Sequence, residues 1–127
     1  MSARMLIVDD DKTLCEELAD YFQEAGFSAE YVSLPEEGIV RLSQNSYDVL
    51  LLDYKMPQFD GVEFLKRSKE SLGNMKVFLI SGSLAVPQML KEQGLSSFVT
   101  HVFPKPFNIQ TLHSAVNDAV EQVEKSQ

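Results

Sequence analysis

Met5-Leu6-Ile7-Val8 runs straight into Asp9-Asp10, and Val49-Leu50-Leu51-Leu52 runs straight into Asp53. Short runs that are apolar at every position read as strands buried on both faces, the condition of a parallel sheet. Two such strands in one parallel sheet stop on the same edge. Three carboxylates then gather at the C-terminal ends of the strands, where open α/β sheets bind ligands. Clustered anions repel one another unless a cation joins them. The pattern therefore points to a divalent metal and to chemistry on a charged group.

Outward from these two runs, strand-like and helix-like segments alternate along the whole chain. The first strand covers about 4–9. Leu14, Leu18, Phe22 and Ala25 then recur at helical spacing, with Thr13 and Glu16 as a capping box and Gly26 as the stop. Residues 28–32 read as a strand whose charged Glu30 suits a sheet edge. Ser33-Leu34-Pro35-Glu36 opens a second helix, with Ser33 as its cap. Residues 48–53 form the second buried strand. Asp60-Gly61-Val62-Glu63 caps a third helix whose apolar side is Val62, Phe64 and Leu65. Lys76 to Ile80 is a strand ending at Ser81-Gly82. Pro87 falls in the first turn of a fourth helix that ends near Gly94. The fifth strand lies within 98–103. Asn108 caps the last helix, with Phe107 and Leu112 as a hydrophobic staple and a stripe of Leu112, Ala115, Val116, Ala119 and Val123. Five strands and five helices in alternation, joined by right-handed crossovers, predict a doubly wound α/β sheet with helices on both faces.

The 127 residues suit one domain with a single core, and 44% are apolar, within the globular range. The formal net charge of −8 argues against direct nucleic-acid binding, since a phosphate backbone would be repelled. The one cysteine, Cys15, cannot form an internal disulfide and reads as structural. No stretch approaches the ~18 apolar residues of a membrane span. Asp9-Asp10-Asp11 interrupts the only early apolar run, so no secretory signal is read and a cytoplasmic setting is expected.

Five positions fall at strand ends on the predicted edge: Asp9 and Asp10, Asp53, Ser81 and Lys105. Each suits phosphoryl chemistry. A carboxylate can accept a phosphoryl group as a mixed anhydride. A cation held by further carboxylates offsets charge on the transferring oxygens. A hydroxyl and an ammonium can bind the remaining phosphoryl oxygens. Pro57 and Gly61, in the loop after Asp53, are turn residues that would fix the backbone beside a metal.

At these residues the chain resembles the receiver domain of bacterial two-component response regulators, of the chemotaxis-regulator type. The matches are Val8-Asp9-Asp10, Asp53-x-x-Met56-Pro57-x-x-Asp60-Gly61, Ser81-Gly82 and Lys105-Pro106-Phe107. They occur in order and cover about residues 4–124, so the whole chain is expected to be one receiver domain. The resemblance implies a flavodoxin-like fold with strand order 2-1-3-4-5. It makes Asp53 the phospho-acceptor. Asp10, Asp53 and the Lys55 backbone carbonyl would ligate Mg²⁺ directly, with Asp9 acting through water. Ser81 would be the switch hydroxyl, Lys105 would pair with the phosphoryl group, and Pro106 would follow a cis peptide bond. The phosphoryl donor would be a sensor histidine kinase or a histidine phosphotransfer protein, and the output would be a conformational switch read by a downstream protein target. The chain would be a signalling switch that assists its own phosphorylation and dephosphorylation, rather than an enzyme. A stand-alone regulator and a receiver belonging to a larger protein fit equally.

Two departures bear on the switch. The family usually has Tyr or Phe three residues before the Lys, and this chain has Val102 there, with Phe103 next door. The usual Gly-Ala pair about seven residues before the Lys is replaced within Leu95 to His101. Two rival readings remain. Asp9-x-Asp11-x-Thr13-Leu14 is similar to the first motif of haloacid-dehalogenase-type phosphatases, in which Asp9 would be the nucleophile and Asp11 the acid/base. A degenerate receiver would serve only as a binding module. His101 and His113 are poor candidates for phosphoryl donors, with His113 expected at the surface. The methionines read as core filling.

Overall fold

The computed structural model describes residues 2–125, with side chains through Glu121. Five strands form one all-parallel sheet: β1 Arg4–Val8, β2 Ser28–Val32, β3 Val49–Asp53, β4 Lys76–Ser81 and β5 His101–Pro104, in the order β2-β1-β3-β4-β5. The described residues also form six helices: α1 Lys12–Glu24, α2 Pro35–Gln44, α3 Gly61–Arg67, α4 Lys69–Leu72 and α5 Val86–Glu92 between the strands, and α6 Ile109–Lys125 after β5. The strand order and the flavodoxin-like architecture are as expected, and β2 with Glu30 is indeed an edge. Among the described residues no helix is long and apolar enough to cross a membrane.

Strict alternation along the central strands builds two apolar layers, because successive side chains point to opposite faces. Leu6, Val8, Leu50, Leu52, Val77 and Leu79 face α2 to α5, where they meet Leu42, Phe64, Leu65, Leu72, Val86 and Leu90. Met5, Ile7, Val49, Leu51, Phe78 and Ile80 face α1 and α6, where they meet Cys15, Leu18, Phe22, Leu112 and Val116. Leu112, Ala115, Val116 and Ala119 do pack against this second layer, whereas the side chain of Val123 lies outside the described residues.

Local signals explain where the helices begin and end, and several differ from expectation. Asp11, not Thr13, caps α1: its carboxylate accepts from Leu14 N at 3.1 Å, so the helix starts at Lys12 and no capping box forms. Gly26, at φ +100°, supplies the left-handed residue that ends α1. Ser33 does not cap α2. Leu34 takes the cap position without a side-chain bond, because Pro35 at the first helical position holds the residue before it extended. The predicted third helix is two. Ser68 Oγ donates back to Phe64 O at 2.7 Å, and the backbone there leaves helical geometry before α4 begins. The fifth strand starts only at His101, since Ser96–Phe98 forms a 3₁₀ turn. Asn108 caps α6 as predicted, accepting from Gln110 N at 2.8 Å and Thr111 N at 3.2 Å.

His113 is a clear correction. It is half-buried, and Nδ1 lies 2.9 Å from the Tyr21 hydroxyl. Its ring packs edge-on against Tyr21 and Phe22, which ties α6 to α1. Helical spacing left it off the apolar stripe, and only the neighbouring helix half-buries it. His101 is exposed and stacks on Phe78.

Gly61 is held by close approach rather than by φ. A Cβ there would lie 2.8 Å from Leu79 Cδ1, 2.9 Å from Tyr54 Cα and 3.0 Å from Asp53 O. Replacing Gly by Ala in a helix ordinarily gains ~1 kcal/mol. Here the backbone contacts outweigh that gain, and Gly61→Ala is expected to cost about 1–3 kcal/mol of unfolding free energy by urea denaturation. A stabilised variant would refute the close-approach account.

Candidate functional site

β1 and β3 are adjacent and in register, Val8 beside Leu52, so the residues that follow them meet at one edge. Carboxylate oxygens of Asp9, Asp10 and Asp53 all lie within 4.8 Å of one another. Asp9 and Asp53 are buried, 4% and 3% exposed, while Asp10 is exposed. β4 and β5 deliver the other two residues. Ser81 lies beside Pro104 in the sheet, and Lys105 N donates to Ser81 O at 3.0 Å. All five predicted positions therefore share one edge. The Lys105–Pro106 peptide is cis, as the resemblance implied.

Lys105 Nζ lies 2.7 Å from Asp53 Oδ1. Apart from this ion pair, Asp53 Oδ1 is buried with no hydrogen-bond donor among the described residues. Burial raises the Asp53 carboxyl above the ordinary range, and the Lys105 ammonium opposes that rise. Asp9 is pushed up to about 6, chiefly by burial. The hydrogen bond that Asp9 Oδ1 accepts from Asp11 N, at 2.9 Å, works the other way, and the charge of Asp53 adds to the rise. Burial would lower Lys105, but Asp53, Asp9 and Asp10 hold it above its usual value. One ammonium thus faces three carboxylates. That excess of oxygen ligands and negative charge fits a small hard cation.

Several neighbours place the site without belonging to it. The buried Cys15 thiol donates to Asp9 O at 3.2 Å, and burial first, then Asp9, push the thiol up to about 12. Cys15 is therefore an inert structural residue, as expected. Asp11 spends its carboxylate on the α1 cap. Ser81 Oγ accepts from Ser83 N at 2.9 Å, which engages the hydroxyl within its own loop. In the loop after β3, Tyr54 N donates to Ile80 O at 2.9 Å, and Gly61 N donates to Tyr54 O at 2.6 Å. Asp60 caps α3 through Glu63 N, at 2.9 Å. Lys55 is exposed in this loop.

Sequence spacing did not reveal the partners of Tyr54. Its ring packs on the α2–α5 layer and its hydroxyl donates to Met89 Sδ at 3.7 Å. The signal available was an aromatic directly after the acidic strand end. The sheet also decides the two β5 positions. Val102 faces the α2–α5 layer, whereas Phe103 faces the α1/α6 layer and packs edge-on against Phe107.

A flavodoxin-like sheet with this acidic edge defines a class of α/β proteins suited to phosphoryl groups. The model of the response regulator receiver domain matches residues 5–117, and the chain belongs to that family. It is a receiver domain of two-component response regulators, a family of signalling switches. It is 33% identical over 118 residues to sporulation initiation phosphotransferase F of Bacillus subtilis, covering 91% of this chain and 92% of that protein. A CheY-like receiver domain protein from Methanospirillum hungatei superposes with a TM-score of 0.89 at 21% identity, covering 100% of both chains. The response regulator TrrA from Thermotoga maritima, in complex with Mg²⁺ and beryllofluoride, superposes with a TM-score of 0.77 at 24% identity, covering 94% of this chain and 99% of that one. The chain spans about half the length of the Bacillus subtilis transcriptional regulatory protein YcbL, with which it shares 32% identity over 92% of its own residues.

Asp9→Asn removes a buried charge and keeps the acceptor for Asp11 N. In metal-free buffer at neutral pH it is expected to raise unfolding free energy by about 1–3 kcal/mol. A destabilised Asp9→Asn would show that the ionised carboxylate is held by interactions stronger than its burial.

Proposed function

We propose that Asp53 is the phospho-acceptor, taking a phosphoryl group from a phosphohistidine on a sensor histidine kinase or histidine phosphotransfer protein. The observation that carries this reading is the buried Asp53 Oδ1, paired with Lys105 Nζ at 2.7 Å and, among the described residues, with no further hydrogen-bond partner. An Asp53 carboxylate oxygen attacks phosphorus and the P–N bond breaks. The bonding electrons leave with the imidazole nitrogen, which takes a proton from solvent. Lys105 stands where it can follow the charge from the carboxylate to the new phosphoryl oxygens. Ser81 would exchange its bond with Ser83 N for one to the phosphoryl group. Asp10, Asp53 and the Lys55 carbonyl would hold Mg²⁺ directly, with Asp9 acting through water. Bound there, the cation would offset charge on the transferring oxygens.

The net charge of −8 favours a protein partner over nucleic acid as the direct target of this domain. The readout would be a change in conformation and partner binding, set by contacts that Ser81 and Lys105 make only to the phosphoryl group. The phosphatase reading, with Asp9 as nucleophile, loses support because Asp11, its acid/base, is the α1 cap. The intact acidic set weighs against a degenerate binding module.

Incubation with acetyl phosphate, with and without Mg²⁺, tests the reading. Intact-mass measurement should show one Mg²⁺-dependent phosphoryl adduct, absent from Asp53→Ala. An adduct that survives Asp53→Ala and vanishes in Asp9→Ala would support the phosphatase chemistry, and no adduct in the wild type would support the binding module. Lys55 is exposed two residues after the acceptor, where its ammonium would hinder water attack. Lys55→Ala should therefore shorten the half-life of the aspartyl phosphate, and equal half-lives would discard that role.

A further inference from the structure

α5 is tied to the acceptor edge by two links. One is covalent: the loop from Ser81 leads into α5, and Ser81 Oγ braces that loop by accepting from Ser83 N at 2.9 Å. The other is the Tyr54 side chain, which leaves the residue next to Asp53 and ends 3.7 Å from Met89 Sδ, one turn into α5. The two ends of this second link differ in how they are restrained. The Tyr54 backbone is pinned by Ile80 O and Gly61 N, at 2.9 and 2.6 Å. α5 begins without a side-chain cap, and its buried residues are Val86 and Leu90.

The hydroxyl bonds a thioether while a carboxylate, Asp60, lies nearby. A thioether is a weak hydrogen-bond acceptor, and a carboxylate is a strong one. Burial and the nearby Asp60 carboxylate hold the Tyr54 phenol above its ordinary pKa. Asp60 sits at the start of α3, so the alternative acceptors belong to different helices. Coupling between sites needs an element with two discrete arrangements. β5 contributes Val102 rather than an aromatic to the same layer.

We propose that Tyr54 couples the acceptor to α5, its hydroxyl holding Met89 while Asp53 is free and releasing it when Asp53 carries a phosphoryl group. The inference rests on the phospho-acceptor reading. A phosphoryl group that draws the Ser81 hydroxyl leaves Ser83 N without its acceptor. The loop then re-forms and carries the first turn of α5 with it. Tyr54 cannot follow, because its backbone is pinned. The contact with Met89 breaks, and the hydroxyl turns to Asp60. A contact made only in the free state opposes occupancy of Asp53, by linkage.

Beryllofluoride with Mg²⁺ serves as the probe, with fluorine NMR reporting the bound anion and carbon-13 methyl NMR reporting the methionines. In the wild type the Met89 methyl resonance, assigned by its loss in Met89→Leu, should move on binding, and Met5 in the opposite layer should not. Tyr54→Phe and Met89→Leu should each lower the half-saturating beryllofluoride concentration about two- to fivefold. The double variant should gain no more than either single one, since both remove the same contact. A stationary Met89 resonance beside a clear bound-fluorine signal overturns the coupling and leaves the acceptor reading standing. Unchanged or weaker binding in Tyr54→Phe, or additive gains in the double variant, also overturns it. Absence of any Mg²⁺-dependent bound signal overturns the acceptor reading and this inference together.

Discussion

The pairing of Asp53 with Lys105 at 2.7 Å is the contact on which the acidic edge depends. Asp53 is 3% exposed and has two other carboxylates beside it. An isolated buried carboxylate would be costly to keep ionised, and its neighbours make that worse. Lys105 offsets part of the charge, and the strand register brings it there. Its N–H is fixed on Ser81 O, the last residue of β4, which lies next to β3 in the sheet. Order in the sheet is thus what keeps the charges manageable. One ammonium still leaves two carboxylates uncompensated. The site is therefore stable enough to fold and electrostatically incomplete, a state that favours a ligand bringing positive charge.

The same sheet separates support from chemistry. α1 serves Asp9 by two short-range contacts, the Asp11 N–H on the carboxylate and the Cys15 thiol on the carbonyl. The α2–α5 layer supports the other half of the edge. Gly61 lets α3 approach the Asp53–Tyr54 backbone closely, and Tyr54 reaches from there to α5. Support on the α1 side is compact and fixed, whereas on the α5 side it passes through a weak hydroxyl–thioether contact and a loop braced by one serine. The α5 side of the sheet is thus the side with fewer strong restraints.

The sequence made the sheet and its edge legible because both follow from local pattern. Uninterrupted apolar runs mean strands buried on both faces, and acids closing two of them mark one edge whatever the details of packing. Asn108 and Gly26 were readable for the same reason, since caps act within a few residues. Misreadings arose where two local signals competed. Asp11 lies ahead of Thr13 and captured the α1 cap, and Pro35 fixed the start of α2 without help from Ser33. Ser68 broke the third helix by bonding back to Phe64 O, which periodicity does not register.

Residue order alone determined which groups end the strands: Asp9, Asp10, Asp53, Ser81 and Lys105. Strand period and crossover handedness leave a parallel sheet little choice about where those ends lie. Only the tertiary structure decided how their surroundings divide. It turned Val102 to the α2–α5 layer and Phe103 to the other, because a one-residue step along a strand reverses the face. It half-buried His113 by laying α1 against α6. It joined Tyr54 to Met89, 35 residues apart, through the packing of α5 on the sheet. Such contacts depend on which helices share a face and how closely they pack, and the pattern of any one segment does not carry that information.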